Sequence, residues 1–190
     1  LDPFGGVGTT NLAAQTLGYK SLAFDVSPLA VCATSVKASH FSDIEISEVE
    51  RTIRAVRLGK QALRPNTDLV EKCFTPDVLS DLLKIKFYVD HLEKKKIREL
   101  FFLAYLSIIE ICSNRKKDGN GLKIVKNKTP VRDVRKLYVD KLRRMLEDIK
   151  LLNSSYTVKS HEGSIIKEGY KVKENSVGLT ITSPPYANCF

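Results

Sequence analysis

The sequence has few of the residues that build metal centres or disulfide frameworks. Its four cysteines, Cys32, Cys73, Cys112 and Cys189, lie far apart with no Cys-x-x-Cys pair. That spread argues against a zinc site and a disulfide scaffold, and it fits reduced thiols in a cytoplasmic protein. The three histidines, His40, His91 and His161, show no ligand spacing, so no metal is expected. No apolar run reaches the ~20 residues that cross a bilayer. The longest, residues 100–112, is broken by Tyr105, Ser107 and Glu110 and reads as a buried helix, so no membrane partner is expected. No secretory signal is visible. The chain starts at Leu1-Asp2-Pro3-Phe4 without an initiator Met, so it is expected to be part of a longer protein. Negative charge is also in short supply: 31 Lys and Arg face 22 Asp and Glu, a net charge of +9. A basic surface attracts polyanions, of which nucleic acid is the commonest, although simple solubility explains the same excess.

What is present is a change of pattern along the chain. Residues 1–42 read as α/β: a strand end at Leu1-Asp2, a glycine-rich turn, and a helix over 11–17 stopped by Gly18. A mostly apolar strand over 21–26 and a helix over 28–39 follow. Strand and helix alternating at this spacing indicate a wound parallel sheet. Residues 43–152 are helical and highly charged, with helices expected over 47–58, from Thr75-Pro76-Asp77 to about residue 92, over 97–112 and over 131–152. In the last, Val134, Tyr138, Leu142, Met145, Ile149 and Leu152 form one apolar stripe. Residues 114–127 read as a loop. Residues 153–190 return to α/β, with strands expected over 156–160 and 177–182. The architecture expected is therefore a partial Rossmann-like α/β domain, residues 1–42 with 153–190, carrying a large helical insertion at 43–152.

The glycine turn, Asp2-Pro3-Phe4-Gly5-Gly6-Val7-Gly8-Thr9-Thr10, lies between a strand and a helix. Glycines let the backbone turn tightly and approach a ligand, and the helix start offers unpaired N–H groups. A P-loop would need a Lys after the glycines to hold phosphate, and Thr9-Thr10 stands there instead. The dinucleotide fingerprint needs a third glycine where Asn11 stands. What remains suits an uncharged nucleoside, or a plain turn. Asp25 ends the second strand at the same edge of the sheet, where a carboxylate can accept both hydroxyls of a ribose or cap the helix begun at Ser27-Pro28. The second unusual feature is Ser183-Pro184-Pro185-Tyr186, directly after an apolar stretch. Two prolines remove two N–H donors and fix the chain. Carbonyls and the Ser183 hydroxyl can then accept from an amino group, and Tyr186 offers a face for stacking.

Together these segments resemble the amino-methyltransferases of DNA. That family carries an Asp-Pro-Phe-x-Gly-x-Gly-Thr-Thr motif, matched by Asp2, Pro3, Phe4, Gly6, Gly8, Thr9 and Thr10, and an Asp/Asn/Ser-Pro-Pro-Tyr motif, matched by Ser183, Pro184, Pro185 and Tyr186. The resemblance implies S-adenosylmethionine as cofactor and DNA as partner, and it is compatible with a restriction–modification or phage-defence setting. It implies that Asp2, Pro3, Phe4, Gly6, Gly8 and Thr9 form the cofactor turn, that Asp25 holds the ribose, and that Glu162 stands beside the adenine. Ser183, Pro184, Pro185 and Tyr186 would receive the base. The Ser form of the second motif is usual in enzymes that methylate the cytosine amino group, and the Asp form in those acting on adenine. A ring-carbon methyltransferase would need Cys directly after Pro, and Tyr186 follows Pro185 instead. The family sheet is larger than the strands found here, which again implies a longer enzyme. The Ser113-to-Gly121 stretch resembles a segment between the two motifs in one subgroup.

Cations crowd the middle of the chain: Arg115, Lys116, Lys117, Lys123, Lys126, Lys128, Arg132, Arg135 and Lys136. Solvated helix faces explain such runs. Contact with the DNA backbone explains them too, with Arg115, Lys116, Lys117 and Lys123 as the candidates. Two other functions stay open on sequence grounds: a non-enzymatic nucleic-acid-binding module built on a methyltransferase half, and methyl transfer to RNA or a protein amide.

Overall fold

The computed structural model describes residues 1–59, 67–118, 121–125, 128–152 and 158–184. The chain divides into two compact units, Leu1–Ser42 with Ile149–Phe190, and Asp43–Asp148.

The first unit is built on parallel strands. β1 (Ser21–Asp25) pairs in parallel with β4 (Val158–Glu162), Ser21 opposite Val158 and Asp25 opposite Glu162. On the other side of β1, Asp2 forms a parallel bridge with Ala23. Its N–H donates to the Leu22 carbonyl at 2.8 Å, and its carbonyl accepts from Phe24 N–H at 3.0 Å. Beyond Leu1–Asp2 runs a further segment. Leu1 N donates to the Leu179 carbonyl at 2.9 Å, and Ile181 N–H donates to the Leu1 carbonyl at 3.0 Å. Bonds that flank one residue in this way, here Thr180, are those of a parallel pair. The lateral order is therefore residues 179–181, Leu1–Asp2, β1, β4. Residues 177–182 are expected as a strand, yet they are not a regular one: Leu179 and Ile181 remain exposed, and the bonds of the segment to other described residues are those to Leu1.

Short helices connect these strands. α1 (Thr9–Thr16) starts two residues before the expected position. It closes in a Schellman turn, with Gly18 N–H donating to Gln15 O and Tyr19 N–H to Ala14 O. α2 (Pro28–Lys37) starts at Ser27, whose hydroxyl accepts from Ala30 N–H, with Pro28 in the first turn. Ala23 and Phe24 in β1, with Ala30, Ala33 and Val36 in α2, are buried and form the core here.

The second unit is helical: α3 (Asp43–Ala55), α4 (Asp68–Glu71), α5 (Pro76–Asp90), α6 (Lys95–Cys112) and α7 (Val134–Leu151), whose last turn runs past the unit boundary. α3 begins four residues before the expected start, with Asp43 and Glu45 in its first turn, where acids offset the helix dipole. Thr75 occupies the N-cap of α5, but its hydroxyl makes no capping bond, so Pro76 and Asp77 define the start. Leu82, Ile85, Leu100, Phe101, Ile108, Tyr138 and Leu142 are fully buried together with Val49, Val56 and Val89. Each such aliphatic side chain contributes ~1.5–3 kcal/mol. The Tyr138 ring meets Phe101 edge-on at 6.4 Å, and its hydroxyl donates to the Phe101 carbonyl at 3.0 Å. Of the α7 stripe, Val134, Tyr138, Leu142 and Ile149 are buried, while Leu146 is buried in preference to Met145.

Residues 114–127 are not a plain loop. β2 (Arg115–Asp118) and β3 (Gly121–Ile124) pair antiparallel. β2 is wholly polar and β3 alternates over just Leu122-Lys123-Ile124, so the usual sequence signal for a hairpin is too short to stand out.

Candidate functional site

The glycine turn is fixed from three sides. Asp2 is buried, and its Oδ1 accepts from Phe4 N–H at 3.1 Å, folding the chain back immediately after the strand. Gly5 N–H donates to Phe24 O at 2.8 Å, and a Cβ on Gly5 would lie 2.7 Å from the Ala23 Cβ. Gly5 stands at the variable position of the motif, yet close packing demands a glycine there. Gly8 has φ +82, and a Cβ on it would come within 2.6 Å of Thr34 Oγ1. Gly6 differs: at φ +50 its Cβ direction meets nothing within 4 Å. The turn thus packs down through Gly5 and Gly8 and faces open space at Gly6.

Asp25 joins this turn to the next one. Its Oδ2 accepts from Gly6 N–H and its Oδ1 from Ser27 N–H, both at 2.8 Å. Helix support and an exposed acceptor edge are not exclusive, because each carboxylate oxygen keeps a second lone pair. Two residues that sequence reasoning passed over also hold the turn. Thr34 Oγ1 donates to Gly6 O at 3.2 Å, and Lys37 Nζ donates to Val7 O at 3.0 Å. Both lie on α2, one helical turn apart, and no local sequence signal marks them. α1 has no side-chain cap, since Gly8 occupies its N-cap. Its first-turn N–H groups are left for solvent or a ligand.

Glu162 is exposed at the end of β4, in register with Asp25. Parallel strands in register put paired residues on one face, so the two carboxylates leave the sheet at the same end. Gly163 N–H donates to Asp25 O at 2.8 Å, and the His161 ring lies 5.4 Å from that of Phe24. Ser183 and Pro184 are exposed and follow the segment tied to Leu1. Pro185, Tyr186 and Cys189 lie outside the described residues. Because 179–181 and Leu1–Asp2 run parallel, the glycine turn and the Ser183-Pro184 corner leave the same end of the sheet. Between them the strand order changes direction: β1 and β4 extend to one side of Leu1–Asp2, and 179–181 to the other. Ligands of open α/β sheets bind at such a switch point, beyond the carboxyl ends of the strands.

The basic candidates separate into two groups. Lys128 Nζ donates to the Glu110 and Ser113 carbonyls, where a cation offsets the C-terminal end of α6. Arg135 Nε donates to Val56 O at 3.0 Å. These two serve the helical unit. Lys116, Lys117 and Lys123 are exposed on the ribbon, and Arg115 is half-buried at its base. Lys126 lies outside the described residues. Among the described residues no cluster of His, Cys, Asp and Glu is suited to a metal ion, and no helix is long and apolar enough to cross a membrane.

The chain is similar to the type II methyltransferase M.BsoBI of Geobacillus stearothermophilus, with 24% identity over 222 aligned positions. The alignment covers 99% of this chain and 43% of that protein, so the chain spans less than half the length of this relative. No protein-family model matches the chain, and no solved structure matches it.

Proposed function

We propose that this chain is the cofactor- and base-holding part of a DNA methyltransferase that transfers a methyl group from S-adenosylmethionine to an exocyclic amino nitrogen, of cytosine or else of adenine. The observation that carries the reading is the pairing of the glycine turn with the Ser183-Pro184 corner at one end of a parallel sheet, on either side of Leu1–Asp2. The similarity to a type II methyltransferase along nearly the whole chain supports the same reading.

The residues present fit the cofactor. Gly6 faces open space and lets a ligand approach the backbone, while the uncapped start of α1 favours a carboxylate such as that of the methionine group. Asp25 and Glu162 offer carboxylates at the same sheet end, the first with free lone pairs for ribose hydroxyls. Asp2 and Pro3 act through the shape of the turn, since Asp2 is buried and already bonded to Phe4 N–H. Phe4 is exposed and supplies an apolar surface, and Thr9 opens α1. When bound, S-adenosylmethionine supplies an electrophilic methyl group on a sulfonium.

The protein's own task is to make a poor nucleophile better. The lone pair of a base amino group is delocalised into the ring, which keeps the nitrogen planar. The Ser183 hydroxyl and the carbonyls freed by Pro184 and Pro185 accept from its two N–H bonds and draw it towards tetrahedral geometry. Tyr186 stacks on the ring. The base must first leave the duplex, at a cost of a few kcal/mol, and aromatic stacking offsets ~1–3 kcal/mol of that. Transfer of tritium from labelled S-adenosylmethionine to DNA by the full-length protein tests the reading. Ser183→Ala should reduce transfer about two- to tenfold, the loss of about one hydrogen bond's worth of stabilisation, while cofactor affinity stays unchanged. Absence of transfer to any DNA would refute the proposal.

A further inference from the structure

The β2–β3 ribbon is at odds with a purely structural role. Lys116 stands directly opposite Lys123, and like charges in that position destabilise a strand pair. On the other face Lys117 stands opposite Leu122, and Arg115 opposite Ile124. Leu122 is 58% exposed and Ile124 56%, so this face is not packed against a core. The one acid of the ribbon, Asp118, approaches Lys123 at 3.7 Å and offsets only part of the positive charge. An isolated two-stranded ribbon is marginally stable in water, yet the base of this one is firmly held. Asn114 N–H donates to Cys73 O at 2.8 Å, and its Nδ2 donates to Lys72 O at 3.1 Å. The buried Ser113 hydroxyl donates to Cys73 O and accepts from Arg115 N–H. Val125 N–H closes the base on the Asn114 carbonyl at 3.0 Å.

An anchored, exposed, cationic ribbon with apolar residues on one face has the form and chemistry of a major-groove reader. The groove of B-DNA is wide enough to admit a two-stranded ribbon. We propose that β2–β3 enters the major groove of the target duplex. Lys116 and Lys123 engage phosphate oxygens, which supply the anions that their mutual repulsion calls for. Lys117 and Leu122, opposite each other towards the outer end, face the base edges, where an ammonium can bond guanine acceptors and an aliphatic chain can pack on a thymine methyl. This inference rests on the methyltransferase reading for the identity of the nucleic acid, but its test does not use methyl transfer.

The test is binding of the full-length protein to mixed-sequence duplex DNA over a range of salt concentrations, without cofactor. Removing both phosphate contacts with Lys116→Gln and Lys123→Gln should lower affinity and reduce the slope of log affinity against log salt by about 2. Neutralising two lysines of the α/β unit, Lys20→Gln and Lys159→Gln, should leave that slope unchanged. Thermal melting should show the ribbon variant no less stable than wild type, because it relieves a like-charge pair. Leu122→Ser, at an exposed position, should leave the salt slope unchanged and alter the ranking of duplexes in a selection from random sequence. An unchanged slope in the Lys116/Lys123 variant overturns the proposal, whether or not the protein methylates DNA. So does tighter binding of the wild-type protein to single-stranded DNA or to double-stranded RNA than to duplex DNA. If the slope falls as expected but no methyl transfer occurs, the ribbon assignment stands and the enzymatic reading fails.

Discussion

At the level of single residues, the glycine turn separates glycines that serve packing from one that faces open space. Gly8 has positive φ and sits against Thr34; Gly6 has positive φ and nothing above it. Gly8→Ala should therefore lower the unfolding free energy by about 2–5 kcal/mol, overpacking added to the left-handed backbone penalty. Gly6→Ala carries only the left-handed backbone penalty of ~1–2 kcal/mol, and its larger effect should be on the proposed binding of S-adenosylmethionine. Urea unfolding beside calorimetric titration of the cofactor separates the two variants; equal cofactor losses at both positions would argue against Gly6 as the ligand-facing one. The motif residues were legible because glycine and proline leave a pattern in one dimension. Thr34 and Lys37 were not, since they belong to α2 and reach the turn only once α2 has packed on β1. The buried role of Asp2 was likewise hidden, because a carboxylate bonded to the N–H two residues on reads the same in sequence as one bonded to a ligand.

At the level of elements, helical periodicity was the reliable guide. α5, α6 and α7 fall within three residues of where their apolar spacing and end signals put them. The ribbon was illegible for the opposite reason. With both faces exposed, no burial pattern is imposed on its sequence, and its lysines look like a solvated loop. The 177–182 segment shows a third case: an apolar run marks a candidate strand, but the regular hydrogen bonding of a strand also needs neighbours along its length. Within α7, Tyr138 is the side chain that joins helices most directly. Its ring is fully buried and its hydroxyl reaches the Phe101 carbonyl on α6. Tyr138→Phe keeps the ring and removes the bond, so it should cost about 0.5–1.5 kcal/mol. Tyr138→Ala should cost about 3–5 kcal/mol, in line with large aromatic truncations. Chemical denaturation of both variants gives the comparison, and a Phe variant as damaging as Ala would mean that the hydroxyl, and not the ring, dominates.

At the level of the whole molecule, the two units differ in what they bury. The core of the unit Leu1–Ser42 with Ile149–Phe190 includes Phe24, Phe41 and small residues such as Ala23 and Ala33, none of which ionises, whereas Asp43–Asp148 buries groups that ionise at alkaline pH. Burial pushes the Cys112 thiol up from 9.0 to about 11, partly countered by Lys128. Burial, with a contribution from Asp90, pushes the Tyr105 hydroxyl from 10.0 up to about 12. Burial raises Tyr138 as well, helped by Tyr88 and Tyr105. In each case the folded chain holds its proton to a higher pH than the unfolded chain. The unfolded state thus binds fewer protons across the window, and stability must fall as pH rises. The loss should begin near pH 9, where the unfolded thiol ionises, and continue to about pH 12. A tenfold difference in proton affinity between the folded and unfolded chain is worth ~1.4 kcal/mol. The three groups shift in the same direction, so their losses accumulate across the window. Since all three lie in α6 and α7, hydrogen exchange should accelerate in those helices before it does in β1 and β4. Tyr105→Phe, which keeps the ring and cannot ionise, should flatten the upper part of the pH dependence. Stability that stays level across that range, or exchange that rises first in the parallel strands, would show that these buried groups do not set the alkaline limit.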